Sequence, residues 1–129
     1  MDLKSITRIS ASGLQAQSLR MRVIAENLAN ADSVSATPGG KPYQRKLVLF
    51  SPDRQGVEVA SVQRDNSAFT RVYQPGHPAA DKAGYVLKPN VNSLVEGADM
   101  KAAQRSYEAN LNAIEAARAM TLRTLDLIK

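Results

Sequence analysis

The sequence predicts a mainly α protein with a small β-rich insertion, its long N- and C-terminal helices paired as an antiparallel, coiled-coil-like hairpin. Both ends of the chain carry apolar residues at intervals of seven, the spacing of helices that pack along a seam. Between them, residues 31–92 hold all six prolines and five of the seven glycines, a composition that breaks long helices. The apolar fraction is 43%, yet there is no tryptophan and there are only two phenylalanines and four tyrosines. Alanine supplies much of the remainder, and small side chains bury little area each, so the core is expected to be thin. The expected divisions are an N-terminal helix within residues 1–34, a β-rich segment over 35–91 and a C-terminal helix within 92–129.

In the first helix Leu14, Met21 and Leu28 recur at sevens, with Ile24 and Ala25 on neighbouring turns and Ile6, Ile9 and Gly13 along an adjacent seam. Arg8, Gln15, Arg22 and Glu26 fall largely on the opposite side. Asn27 and Asn30 sit close to the apolar stripe, and two readings apply. In one, Asn30 or Asp32 ends the helix and satisfies free backbone groups. In the other, Asn27 borders a packed interface, its amide bonded to backbone or to a polar group on the second helix, with Gln104, Arg105, Glu108 and Asn110 as candidates. A polar residue in such a place costs stability and fixes register and partner number.

The middle segment opens with the turn-rich "SATPGGKP" (35–42), followed by a strand over "YQRKLVLF" (43–50). In "VEVASVQRD" (57–65) the valines change face between Val59 and Val62, which implies a bulge. "FTRVY" (69–73) is a third short strand, and 73–91 reads as largely extended and punctuated by prolines. The expected result is a small hairpin or a three-stranded sheet, marginal by itself.

The last helix starts near "NVNSLVEGADM", where Ser93 and Glu96 have capping-box spacing and Asn92 is a rival cap. Met100, Tyr107, Ile114, Thr121 and Ile128 follow at sevens, flanked by Ala103, Leu111, Ala117 and Leu125. Each helix carries a stripe longer than the insertion can cover. Packing the two against each other still leaves a face of each exposed, so the chain requires further helices around it.

Chemistry is not written into this sequence. With no cysteine there is no thiolate nucleophile or cysteine metal site. The single histidine, His77 in "PGHP", reads as a turn residue, and "PGG" at 38–40 lacks the lysine and hydroxyl residue of a phosphate loop. No cofactor and no enzymatic activity are expected. The net charge is +5, but its regional sums of +2, +3 and 0 over 1–30, 31–92 and 93–129 form no dense basic stripe. That argues against a small nucleic-acid-binding module. No segment is apolar enough to insert in a bilayer, and the N-terminus lacks the basic start and apolar run of a cleaved secretory signal.

"SGLQAQSLRMRVIAENLANADS" (12–33) resembles the N-terminal signature of flagellar axial proteins through Ser12, Gly13, Leu14, Ala16, Ala25, Asn27, Leu28, Ala29, Asn30 and Ala31. "YQPGHPAADKAGYVLKPNVN" (73–92) and "AQRSYEANLNAIEAARAMTLRTLDLIK" (103–129) narrow the resemblance to the flagellar basal-body rod proteins, and among them to the short proximal ones. One departure is Gly97-Ala98, where a methionine and a bulkier aliphatic residue are expected. The resemblance implies a structural subunit of the proximal rod, its helices stacked with those of neighbours into a torque-transmitting tube around an export channel. It further implies export by the flagellar type III apparatus without a cleaved signal peptide, and a final place within the periplasm. Implied partners are other proximal rod proteins, the rod-base adaptor, the distal rod protein and further copies of the chain. The alternative of another helical secretion-tube or filament subunit shares this logic. On the inner helices the expected assembly residues are Ile9, Gly13, Leu14, Met21, Ile24, Asn27, Leu28 and Asn30, with Met100, Tyr107, Asn110, Leu111, Ile114 and Leu125. Tyr43, His77 and Tyr85 are the expected contacts of the outer segment.

Overall fold

A computed structural model describes residues 2–128. Its elements are α1 (Leu3–Ala29), β1 (Lys46–Asp53), β2 (Gly56–Arg64), β3 (Thr70–Tyr73), β4 (Tyr85–Lys88) and α2 (Ser93–Ile128). Helix α1 begins where the Asp2 carboxylate accepts the Ser5 N–H at 2.7 Å, supplying one free amide of the first turn with a partner. It ends at Asn30, whose side-chain amide donates to the Glu26 carbonyl at 2.9 Å and whose Oδ1 accepts the Ser33 hydroxyl at 3.0 Å. Helix-ending is therefore the role of Asn30, while Asn27 follows the other reading.

At the start of α2 the cap is Asn92, not the Ser93–Glu96 box. Asn92 Oδ1 accepts from the amides of Leu94 and Val95 at 3.0 and 3.3 Å. Glu96 cannot reach back to a cap because its carboxylate is turned into the fold, fully buried.

The two helices run in opposite directions. Asn27 meets Glu96, Gly13 meets Asn110, and Leu3 and Thr7 share a surface cleft with Thr121, so residue numbers rise along one helix as they fall along the other. The contact seam differs in phase from the stripe read off the sequence. On α2 it runs through Glu96, Ala103, Asn110 and Ala117, spaced at sevens, of which all but the half-buried Asn110 are buried. Met100, Tyr107 and Ile114 flank it half-buried, and Thr121 and Ile128 are exposed. On α1 the buried residues are Ser10, Ala16, Val23, Ile24 and Asn27, while Leu14, Met21 and Leu28 are only half-covered. The reason is size. Helix separation is set by the side chains at the contact, and small ones let the axes approach while larger neighbours are displaced to the flanks.

Of the two expected arrangements the hairpin is the one present, as β1–β2, and β3 joins no three-stranded sheet but forms a second two-stranded antiparallel sheet with β4. Strand β1 starts later than expected because the backbone before it is already committed: the Tyr43 amide donates to Ser33 O at 2.9 Å and the Arg45 amide to Asn90 Oδ1 at 2.7 Å. It also runs on through Pro52 to Asp53, paired with Gly56 across a two-residue loop. The expected bulge is present: Leu49 pairs with Ser61 but Phe50 pairs with Val59, leaving Ala60 without an opposite residue. Strand β3 pairs with β4, Thr70 opposite Lys88 and Tyr73 opposite Tyr85, because 85–88 is free of proline within the punctuated stretch.

The β1–β2 hairpin lies along α1. At its tip Gly56 has a φ of +132°, and an added Cβ there would lie 2.1 Å from Ser12 Oγ. Glycine alone suits both the conformation and the closeness. Ser12 then ties the tip down, donating to Ile9 O at 2.6 Å and accepting the Val57 N–H at 3.1 Å.

The core is as thin as the composition implies. The buried apolar residues among those described are Ala16, Val23, Ile24, Ala79, Val86, Ala103 and Ala117, four of them alanine. Gly13 marks a close helix approach, where an added Cβ would lie 2.6 Å from the Asn110 amide nitrogen. That amide donates to Ser106 O at 2.9 Å, so it cannot yield without losing a bond. Gly13→Ala is expected to destabilise the fold by about 1–2 kcal/mol despite alanine's better helix propensity. Asn110→Ala in that background should recover most of the loss, a coupling measurable by a double-mutant cycle in urea.

Candidate functional site

Asn27 is 1% exposed and Glu96 0% exposed, and with Val86 they are the largest fully buried side chains. A protein of this size whose centre is polar must satisfy every group there, since an unpaired buried amide or carboxylate costs several kcal/mol. Asn27 does so completely. Its Nδ2 donates to Lys46 O at 2.8 Å and its Oδ1 accepts the Lys46 N–H at 2.9 Å. The carboxamide thus pairs with the start of β1 as another peptide unit would. The same Oδ1 accepts the Tyr43 hydroxyl at 2.8 Å, and Nδ2 also reaches Glu96 Oε2 at 3.3 Å. Two donors and two acceptor sites are all that an asparagine side chain offers, and all four are used. Its partner on α2 is Glu96, outside the 104–110 stretch expected to supply it.

Arg45 completes the cluster. Its Nε donates to Glu96 Oε1, Nη1 to Asp65 Oδ2 at 3.1 Å, and Nη2 faces Asp99 Oδ2 at 3.7 Å. Asn90 supports it from the other side, accepting the Arg45 N–H and donating to Asp65 O at 3.0 Å and Ser67 O at 3.1 Å. The bond to Glu96 holds the guanidinium still more firmly protonated than usual, against the opposing effect of burial. Asp65 is held below its ordinary range, first by the Ser67 N–H and further by Arg45. Burial pushes the Tyr43 phenol up, with the charges of Glu26 and Glu96 adding to it. Among the described residues no buried side-chain polar atom lacks a partner.

This junction binds the end of α1, the start of β1, the end of β2 and the start of α2 together. Arg45, Asp65, Asn90 and Glu96 were not singled out from sequence as a cluster. The usable signal was Glu96 standing at heptad spacing from Ala103 and Ala117, a charge in a row of small buried residues.

The expected assembly residues divide by exposure. Ile24 and Asn27 are buried within the chain. Ile9, Gly13, Leu14, Met21, Leu28, Asn30, Met100, Tyr107, Asn110 and Ile114 are half-buried, and Leu111 and Leu125 are exposed. Of the outer-segment residues, Tyr43 directs its hydroxyl inward to Asn27. His77 accepts the Ala79 N–H on Nδ1 at 3.0 Å, a local turn bond. Tyr85 lies under the Arg71 guanidinium at 4.3 Å and meets Tyr73 edge-on with centroids 5.2 Å apart. Large apolar residues absent from the core stand on α2: Leu94, Val95, Leu111, Met120, Leu122, Leu125, Leu127 and Ile128 are all exposed. Half of them, Leu122, Leu125, Leu127 and Ile128, lie past the point where Thr121 meets the first turn of α1. Among the described residues no group of acidic or histidine side chains is placed to hold a metal, and no helix is long and apolar enough to cross a membrane.

Removing Glu96 leaves the Arg45 Nε–H and one Asn27 Nδ2 hydrogen without their buried acceptor, so Glu96→Ala is expected to cost about 3 kcal/mol in urea denaturation. Acid acts through Asp65, together with Asp2 and Asp81, whose carboxyls are likewise held low by hydrogen bonds from Ser5 and from the Tyr85 N–H. A carboxylate depressed in the folded state contributes stability above its unfolded value of about 3.9, and that contribution is lost as pH falls through the folded value. Stability should therefore fall as the pH drops below about 5, and Asp65→Asn should make that fall shallower.

Comparison with known proteins gives the site its setting. A family model described as "Flagella basal body rod protein" matches residues 8–36, and one described as "Flagellar basal body rod FlgEFG protein C-terminal" matches 82–127. The flagellar basal-body rod protein FlgC of Agrobacterium fabrum is 46% identical, covering 98% of this chain and 96% of its own length. FlgC of Salmonella typhimurium is 44% identical with 98% of both chains covered, and FlgC of Borreliella burgdorferi is 38% identical over 100% of this chain and 99% of its own. On helices α1 and α2, on the turn-rich segment between them and on the near-complete coverage of these relatives, the chain belongs to the FlgC group of the flagellar basal-body rod protein family, as a structural rod component and not an enzyme.

Proposed function

We propose that α1 and α2 form the inner layer of the rod, stacking against the helices of neighbouring subunits around a central channel, while the β-rich segment faces outward. One observation carries this: the exposed large apolar side chains crowded at the C-terminal end of α2, Met120, Leu122, Leu125, Leu127 and Ile128, where the helix runs on past the first turn of α1. Large apolar side chains clustered on one helix end mark an interface, because isolated soluble domains cover such patches. The heptad spacing of Glu96, Ala103, Asn110 and Ala117 suits a left-handed supercoil of the pair, continued into neighbouring helices. In this reading the divisions 1–34, 35–91 and 92–129 are helix, outer segment and helix, with the β1–β2 hairpin bracing α1. Other proximal rod proteins, the rod-base adaptor, the distal rod protein and further copies of the chain are the neighbours. The rod lies in the periplasm, and its subunits arrive through the flagellar type III apparatus as unfolded chains. A core of alanines and hydrogen bonds supports that route, since little apolar area must be exposed to open it.

The test is limited proteolysis of the purified chain followed by mass spectrometry, alongside far-UV circular dichroism. Rapid loss of the helix ends distant from the junction, above all the exposed last turns of α2, with a surviving fragment that keeps the Asn27–Arg45–Glu96 junction, is expected if those ends require neighbours. A fully helical, protease-resistant monomer would remove the physical support for assembly through these helices.

A further inference from the structure

The β1–β2 register sets Lys46 directly opposite Arg64. Like charges in opposite positions of an antiparallel pair destabilise it, and nothing in the fold compensates fully. Lys46 has only a long contact to Glu26 at 3.5 Å, and Arg64 and Lys41 have no acidic partner among the described residues. All three cations line one cleft of about 310 Å³, with Tyr43, Gln44 and Phe69 and without a single carboxylate. The chain's net charge of +5 adds a long-range attraction for anions to this local one.

We propose that this cleft is a binding site for an acidic peptide segment, presenting two or more carboxylates, on a protein partner. The inference rests on the assembly reading only for its biological setting. A polynucleotide fits less well. The cleft is a compact site and not a track, the Tyr43 hydroxyl is held by Asn27, Gln44 Nε2 is held by Asp65 O at 2.7 Å, and both aromatic rings are half-buried, so neither offers a face for base stacking. Carboxylates on a flexible peptide can instead reach Lys41, Lys46 and Arg64 separately, relieving the opposed charges that the fold leaves in place.

The experiment is a fluorescence-anisotropy titration of the full chain with labelled hexaglutamate, and in parallel with labelled hexathymidylate. Saturable hexaglutamate binding that weakens with added salt is expected, and Arg64→Glu should weaken it about tenfold or more. Lys101→Glu, an equal charge change on α2 away from the cleft, should leave it within about twofold. Circular dichroism matched across the three proteins excludes loss of fold as the cause. Absence of saturable binding, an equal loss in both variants, or tighter binding of hexathymidylate than of hexaglutamate would each overturn the proposal. The titration contains no assembly step, so a negative result here leaves the rod interface standing, and failure of that interface leaves the cleft standing.

Discussion

The arrangement depends on one buried contact: the carboxylate of Glu96 held between the Asn27 amide and the Arg45 guanidinium. In a low-dielectric interior such a group is tolerated only with its partners in place, so conformations that misplace either one are penalised strongly. The contact joins residues separated by 69 and 51 positions in sequence, and it therefore decides which parts of the chain meet. Apolar area alone would not. Alanine seams can slide past one another at little cost, whereas an asparagine with four fixed bonds and a carboxylate with a fixed cation cannot.

The same economy explains where the large side chains go. With Ala103, Ala117 and Gly13 at the helix contact, Met100, Tyr107 and Ile114 are pushed to the flanks and the leucines at the end of α2 are left outside. For an independent domain this distribution would be wasteful. In the assembly proposed for this chain it separates two tasks, polar and small residues determining the fold of one subunit and bulky residues remaining available to others.

Much of this was legible in the sequence, and the misreadings share one cause. Sevenfold spacing located both helices, the proline and glycine distribution located the insertion, and the valine pattern located the bulge. The seam itself was assigned to the largest apolar residues, Leu14, Met21 and Leu28, because periodicity reports that a face is apolar and not how near its neighbour comes. The local Ser93–Glu96 spacing suggests a capping box beside the rival Asn92, and it is Asn92 that caps. The partner that claims Glu96, Arg45, is distant in sequence and had no pattern to announce it. The split into two sheets was hidden for a similar reason: Asn90 bonds to Arg45, Asp65 and Ser67, turning the chain away after β2 so that β3 meets β4.

A rod component that assembles with others must not aggregate through its strands. Two-stranded sheets present unpaired backbone on both outer sides, the usual template for fibrous aggregation. Here Asn27 occupies the main-chain groups of Lys46 at one end of β1, and Ser12 occupies the amide of Val57 at the far end of the hairpin. The remaining outer side of β2 is interrupted at Ala60 and flanked by the charges of Glu58 and Arg64. Side chains of a helix thus do at the two ends of the hairpin what a covering strand would do, and they blunt it as a template for strand pairing.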